Sequence, residues 1–199
     1  MFRRMIIGLL SDTHLPNLIT DLGELGPEVA EFLSSVDLIL HGGDLTTPAV
    51  LDWLEQFAPV LCSTGNNDPI PDSRCEDVHV LEIEGWRVGM RHSLEGQFRP
   101  VPALQRYFPQ PVDIMLSGHT HEERMEHRDG VTLVNSGSIT FPHHKELRFG
   151  TAGLLELTPQ RMSVKLFPLG HTTGRPNPTR TLEMEILRDS DGLLMAADS

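Results

Sequence analysis

Gly118-His119-Thr120-His121 sets two imidazoles two residues apart, directly after the apolar run from Val112 to Ser117. On extended backbone, side chains two apart share a face, so both rings are expected to reach one cluster. A lone pair of this kind is common on protein surfaces; repetition is what makes it specific. The same order recurs four more times: an apolar run, then small residues, then side chains able to hold a metal. Met5 to Leu10 leads into Ser11-Asp12-Thr13-His14, and Val36 to Leu40 into His41-Gly42-Gly43-Asp44. Pro59 to Ser63 leads into Thr64-Gly65-Asn66-Asn67-Asp68, and Trp86 to Met90 into Arg91-His92-Ser93. The chemistry this pattern points to is a metal centre assembled from several strand ends.

The elements that would position these groups follow from the same runs. Short apolar runs closed by glycine or other small residues read as buried strands turning sharply into loops. Open α/β sheets hold ligands outside the carboxyl ends of their strands, where all five clusters fall. Pro27 to Ser35 reads as a helix with proline at its first turn, and Thr47-Pro48 opens another running to about Gln56. That βαβαβ order predicts parallel strands with right-handed crossovers. Val78 to Glu84 and Trp86 to Arg91 read as a hairpin about Glu84-Gly85, and Pro102 to Phe108 as a short helix. From Val131 the pattern is mostly β: Val131 to Val134, Thr151 to Leu157 and Met162 to Phe167, with Asp129-Gly130 and Thr158 to Arg161 as turns. The expected fold class is α/β, a four-layer α/β/β/α sandwich of two mixed sheets flanked by helices. Residues 1–170 would form that domain and 171–199 a partly irregular extension, with an edge strand at Thr181 to Leu187 and fraying from Arg188 onward.

At 199 residues, with 39% apolar and 22% charged residues, the chain suits one globular domain with a substantial core. A formal net charge of -12 speaks against a broad grip on nucleic-acid backbones or anionic membranes. It leaves room for an anionic substrate held by metal ions, whose charge dominates its surroundings. Cys62 in an apolar strand reads as a buried thiol, and with Cys75 it makes no disulfide framework, as suits a cytoplasmic protein. The opening Met1-Phe2-Arg3-Arg4 superficially mimics a signal peptide, but the apolar stretch is short and Asp12 interrupts it. No run is long enough to span a membrane.

Taken together, Asp12-x-His14, Gly43-Asp44, Gly65-Asn66-x-Asp68, His92 and Gly118-His119-x-His121 resemble, in order, the calcineurin-like metallophosphoesterases. The spacing looks most like their small bacterial and archaeal phosphodiesterase branch, and the likeness runs from about Met5 to Phe167. Asn135-Ser136-Gly137-Ser138 is similar to the Asn-Pro-Gly-Ser turn of that family. The resemblance implies that Asp12, His14 and His121 hold one metal, that Asn66, His92 and His119 hold a second, and that Asp44 bridges them. It implies two divalent ions, expected to be Mn with Fe, Zn, Ni or Co as alternatives; mixed imidazole, carboxylate and amide ligands suit any of these over Ca or Mg. The nucleophile implied is a hydroxide between the metals, and the substrate a small phosphoester, diester preferred over monoester.

Three positions depart from the family pattern. Asn67 stands where many relatives carry a histidine; it can donate a hydrogen bond to a phosphoryl oxygen but gives up no proton at neutral pH. His92-Ser93-Leu94 replaces a His-Gly-His, and Ser136 replaces a proline. Among the other polar residues, His41 is expected to be a hydrogen-bonded support and Asp68 a turn carboxylate behind the ligands. Ser11 and Ser138 are read as turn and capping residues, His79 and His127 as solvated, and one of His143 and His144 could hang over the site. A nuclease and a non-catalytic scaffold of the same fold are the competing functions. The acidic balance opposes the first, and ligating residue types at all seven positions oppose the second. Nothing in the sequence excludes a homo-oligomer.

Overall fold

Ile7 and Leu9 face one way along the first strand, and Ile6 and Leu10 face the other, so that strand needs cover on both sides. The computed structural model of the chain, which describes residues 4–68, 71–94, 98–188 and 194–196, shows how it is covered. β1 (Met5–Leu10), β2 (Leu38–His41), β3 (Val60–Ser63) and β4 (Cys75–Glu76) are parallel neighbours. Helices α1 (Pro27–Leu33) and α2 (Ala49–Leu54) connect the first three. β5 (His79–Ile83) and β6 (Trp86–Met90) form a hairpin, followed by α3 (Val101–Leu104) and β7 (Ile114–Ser117). A second hairpin joins β8 (Glu123–Arg128) to β9 (Val131–Ser136). β10 (Thr151–Thr158), β11 (Arg161–Pro168), β12 (Leu182–Arg188) and β13 (Leu194–Ala196) then run antiparallel in succession.

Among the described residues the strands make two mixed sheets, ordered β13-β12-β11-β10-β1-β2-β3-β4 and β5-β6-β7-β9-β8. Leu10, Ile39 and Val60 on the outer face of the first sheet pack against Val29, Leu33, Leu51 and Leu54 of α1 and α2. Ile7, Leu9, Leu155 and Val164 on its inner face meet Val88, Met90, Ile114 and Leu116 of the second. Leu104 and Phe108 cover the far side of the second sheet at Met115 and Leu133. The architecture is therefore the α/β/β/α sandwich that strands apolar on both faces require.

Several local features differ from expectation. Between β1 and α1 the loop contains a 3-10 turn, Leu22–Leu25, closed by a capping box of Asp21 and Glu24. β8 was hidden by its charges: Glu-Arg-Met-Glu-His-Arg carries little strand propensity, but as the edge of its sheet it is suited to charged side chains. Asp129 and Gly130, with φ of 50° and 74°, supply the tight turn that pairs it with β9. β12 is not an edge, because β13 pairs along its outer side, and residues 194–196 are a strand where fraying was expected. The irregular segment before β12 is tied down at Asn177, which donates to Gly150 O at 2.8 Å and accepts from Arg148 at 3.1 Å. The opening Met1 to Arg3 and the rest of the expected frayed tail lie outside the described residues. Among those residues no helix is long and apolar enough to cross a membrane.

Candidate metal centre

The carboxyl ends of β1, β2, β3, β6 and β7 converge, and the loops leaving them are stitched to one another through the backbone. Asp12 N donates to Gly43 O at 2.9 Å, His14 N to Asp44 O at 3.0 Å, and Gly118 N to His92 O at 2.9 Å. Asp12, His14, Asp44, His119 and His121 all have φ between 49° and 69°. The two histidines after β7 are therefore not on extended backbone, yet both rings still reach the cluster. Aspartate and histidine tolerate left-handed backbone better than most residues, and strain of this kind concentrates at functional sites.

Asp12, His14, Asp44 and His121 bring their ligating atoms within 4.8 Å of one another. His121 Nε2 lies 3.3 Å from Asp12 Oδ1 and 3.1 Å from His14 Nε2, and His14 Nε2 lies 3.5 Å from Asp44 Oδ2. Beside this group stands a second. Asn66 Oδ1 is 3.0 Å from both His92 Nε2 and His119 Nδ1, and His92 Nε2 is 3.5 Å from Asp44 Oδ2. One oxygen of Asp44 thus stands equally far from a histidine of each group. Asp12, Asp44, His92 and His121 form a buried floor, while His14, Asn66 and His119 form the accessible rim.

The donor set fits divalent cations on its own chemistry. A carbonyl only accepts, so His92 Nδ1 donates to Gly42 O and His121 Nδ1 to Phe141 O, each at 2.7 Å. The Nε2 atoms of the neutral rings are then bare lone pairs aimed inward, the arrangement that metal-ligating histidines show. His92 Nε2 faces the Asn66 carbonyl oxygen, acceptor against acceptor, and a cation between them removes that repulsion. Burial works to raise the Asp12 carboxyl, but the hydrogen bond and charge of His121 and the Ser11 hydroxyl hold it below the usual range. Burial likewise opposes charge on His121, yet Asp12 raises its pKa, so a proton and a metal compete for one lone pair. For His14, burial dominates and lowers the pKa, with Asp44 opposing.

Several neighbours hold the ligands in place. Asp68 accepts from the backbone N–H groups of Asp44, Leu45, Thr46 and Gly65 at 2.6–2.9 Å, clamping the β2 and β3 loops together. Asn67 does not point its amide at open space: Nδ2 donates to Asp44 Oδ2 at 2.7 Å. Ser11 does more than turn the chain, since its hydroxyl donates to Asp12 Oδ2 at 2.6 Å; Ser138 donates to Asp12 O at 2.7 Å. His41 is fully buried between Thr13 Oγ1 at 2.7 Å and the Gly43 N–H at 3.1 Å, and burial drives its pKa down to about 4. His144 stacks on His121 with ring centroids 3.7 Å apart, whereas His143 turns to Glu123 at 2.9 Å. His79, expected to be solvated, is buried and donates to Cys62 O at 2.7 Å. His127 is half-buried on Thr132 Oγ1 at 2.8 Å.

A polar cavity of about 380 Å³ opens beside Asn66, His92 and His119. A larger one, about 580 Å³, is walled by Leu25, Val29, Phe32, Phe149, Phe167 and Leu169 and contains none of the candidate ligands. Ligating chemistry, not size, selects the smaller.

The sequence model of the calcineurin-like phosphoesterase superfamily domain matches residues 5–159. A probable metallophosphoesterase of Methanothermobacter thermautotrophicus is 38% identical over 142 residues, covering 69% of this chain and 79% of that protein. A phosphodiesterase of Methanocaldococcus jannaschii is 26% identical over 151 residues, covering 67% and 83%. Among solved structures, vacuolar protein sorting 29 of Cryptosporidium parvum matches with a TM-score of 0.73 at 20% identity, over 93% of this chain and 98% of that one. That last likeness is one of fold.

Proposed function

The chain belongs to the calcineurin-like phosphoesterase superfamily, and we propose that it hydrolyses small phosphodiesters at a two-metal centre. The observation that carries this reading is Asp44 Oδ2, 3.5 Å from His14 Nε2 on one side and 3.5 Å from His92 Nε2 on the other. In this reading Asp12, His14 and His121 hold one ion, Asn66, His92 and His119 the other, and Asp44 both. Divalent ions held there, for which the proposal is Mn²⁺ with Fe, Zn, Ni or Co as alternatives, would supply Lewis acidity toward the phosphoryl oxygens and an acidified water.

This chain's own groups do the rest. Asp12 and Asp44 supply two negative charges, so two divalent ions bound there would leave the centre near +2 and attractive to a phosphoryl anion. The buried floor keeps its carboxylates away from bulk water, so their orientation is set by Ser11, Asn67 and the His119 N–H. Gly42 and Phe141 carbonyls hold the His92 and His121 rings in one tautomer. Asn67 acts on the reaction through Asp44, and its amide offers no proton to a departing alcohol. Domain limits of 1–170, a cytoplasmic setting and a substrate other than nucleic acid complete the proposal. Chelated protein should lose hydrolysis of bis-(p-nitrophenyl) phosphate and regain it with Mn²⁺; activity undiminished after thorough chelation would refute it.

A further inference from the structure

Among the described residues, Arg91 is the one arginine or lysine lining the polar cavity, and the proposed hydrolysis gives it no task. It follows β6 immediately before His92, is half-buried, and lines the cavity of about 380 Å³ together with Asn66, His119, Asp77 and Ser93. Its guanidinium carbon lies 4.7 Å from the centre of the Tyr107 ring. Among the described residues no carboxylate or hydrogen-bond acceptor meets that guanidinium, although the chain carries 28 acidic residues against 16 basic ones. Most other arginines of this chain that the structure describes, such as Arg74, Arg161 and Arg188, meet a carboxylate. A guanidinium resting on an aromatic ring keeps its donor fork for a planar or tetrahedral anion.

The phosphoryl group under attack does not need this cation, because the centre already carries positive charge in the reading above. The cavity extends from the Asn66, His92 and His119 side, and its volume falls within the roughly 300–1,000 Å³ typical of small-molecule sites. Asp77 and Ser93 add an acceptor and a hydroxyl to the same wall, so the occupant is polar rather than lipid-like. We propose that Arg91 is a specificity-determining residue that binds a second anionic group, a phosphate, on one alcohol of the diester. The substrate class is then a phosphodiester of a phosphorylated, hydroxyl-bearing alcohol. This rests on the phosphodiesterase reading, and the test reads binding so that the two can fail separately.

The probes are adenosine 5′-monophosphate and adenosine 3′,5′-bisphosphate, titrated calorimetrically into the Mn²⁺-loaded full chain at fixed free Mn²⁺. A charge-assisted hydrogen bond at this position makes the bisphosphate bind on the order of tenfold more tightly than the monophosphate in the wild type. Arg91→Met should bring the two affinities together, and Arg91→Lys should keep part of the difference as a point charge. Equal affinities in the wild type, or a preference that survives Arg91→Met, would overturn the inference, whether or not hydrolysis of bis-(p-nitrophenyl) phosphate is metal-dependent. That hydrolysis separately decides the phosphodiesterase reading.

Discussion

Asn67 holds both carboxylate oxygens of Asp44: its backbone N–H donates to Oδ1 at 2.8 Å and its side-chain amide to Oδ2 at 2.7 Å. A bridging carboxylate works only if both oxygens keep their direction, and Asn67 fixes that direction from an exposed turn. Asn67→Ala should therefore weaken Mn²⁺ affinity by about 10–100-fold, the usual effect of removing a partner behind a ligand. Asn67→Asp should weaken it at least as much, because the amide donor becomes an acceptor facing an acceptor. Calorimetric Mn²⁺ titration of both variants checks this; wild-type affinity in either would remove Asn67 from the support of the centre.

Backbone crowding at the β2 loop predicts a contrast between two glycines. Gly43 has φ of 97°, and a Cβ there would stand 2.6 Å from Ser63 O and 2.9 Å from His92 Nδ1. Gly130 is also left-handed, with φ of 74°, but has nothing within 4 Å of a Cβ. Alanine at either position carries conformational strain of order 1 kcal/mol, and only Gly43→Ala adds a collision with fixed backbone. Thermal denaturation should show Gly43→Ala melting well below Gly130→Ala, with His92 displaced and Mn²⁺ binding reduced. Equal melting temperatures would mean that the β2 loop is not packed as described.

His41 makes the metal-free protein sensitive to mild acid. Its pKa falls from 6.5 unfolded to about 4 folded, so as pH drops the unfolded chain takes up the proton first. Stability is therefore full above about pH 6.5 and declines toward pH 4, by about 3 kcal/mol from this group. Urea midpoints of chelated protein at pH 7.5 and pH 5 should differ more for the wild type than for His41→Asn. Identical differences would place the acid sensitivity elsewhere. Comparing the two proteins cancels the opposite contribution of His121, whose raised pKa stabilises the fold below neutrality.

Much of this was legible because the metal-type residues stand where strands end. Ile7, Leu40, Cys62, Met90 and Leu116 are buried as their runs predict, and the residues after them converge as the ends of parallel strands must. Several of the unread parts share a physical cause, a neighbour distant in the chain. Asn67 meets Asp44, and Ser138 meets Asp12 126 residues away; no spacing rule encodes either. His79 was misread because its polar surroundings in sequence are not its surroundings in space, where it donates to Cys62 O. Two features are local instead: the capping box of Asp21 and Glu24 has a short-range sequence signal, and the charges of β8 mask a strand that its Asp129-Gly130 turn announces. The left-handed backbone at the proposed ligands had no signal beyond residue type.

Anomalous diffraction from crystals grown with Mn²⁺ decides whether Asp44 joins two metal sites. Two peaks are predicted roughly 3.5–4 Å apart, one among Asp12, His14 and His121 and one among Asn66, His92 and His119, with Asp44 touching both. In Asp44→Ala both peaks should weaken, whereas His121→Ala should empty mainly the first. A single fully occupied peak in the wild type, or two peaks undiminished in Asp44→Ala, would show that Asp44 does not bridge two metals.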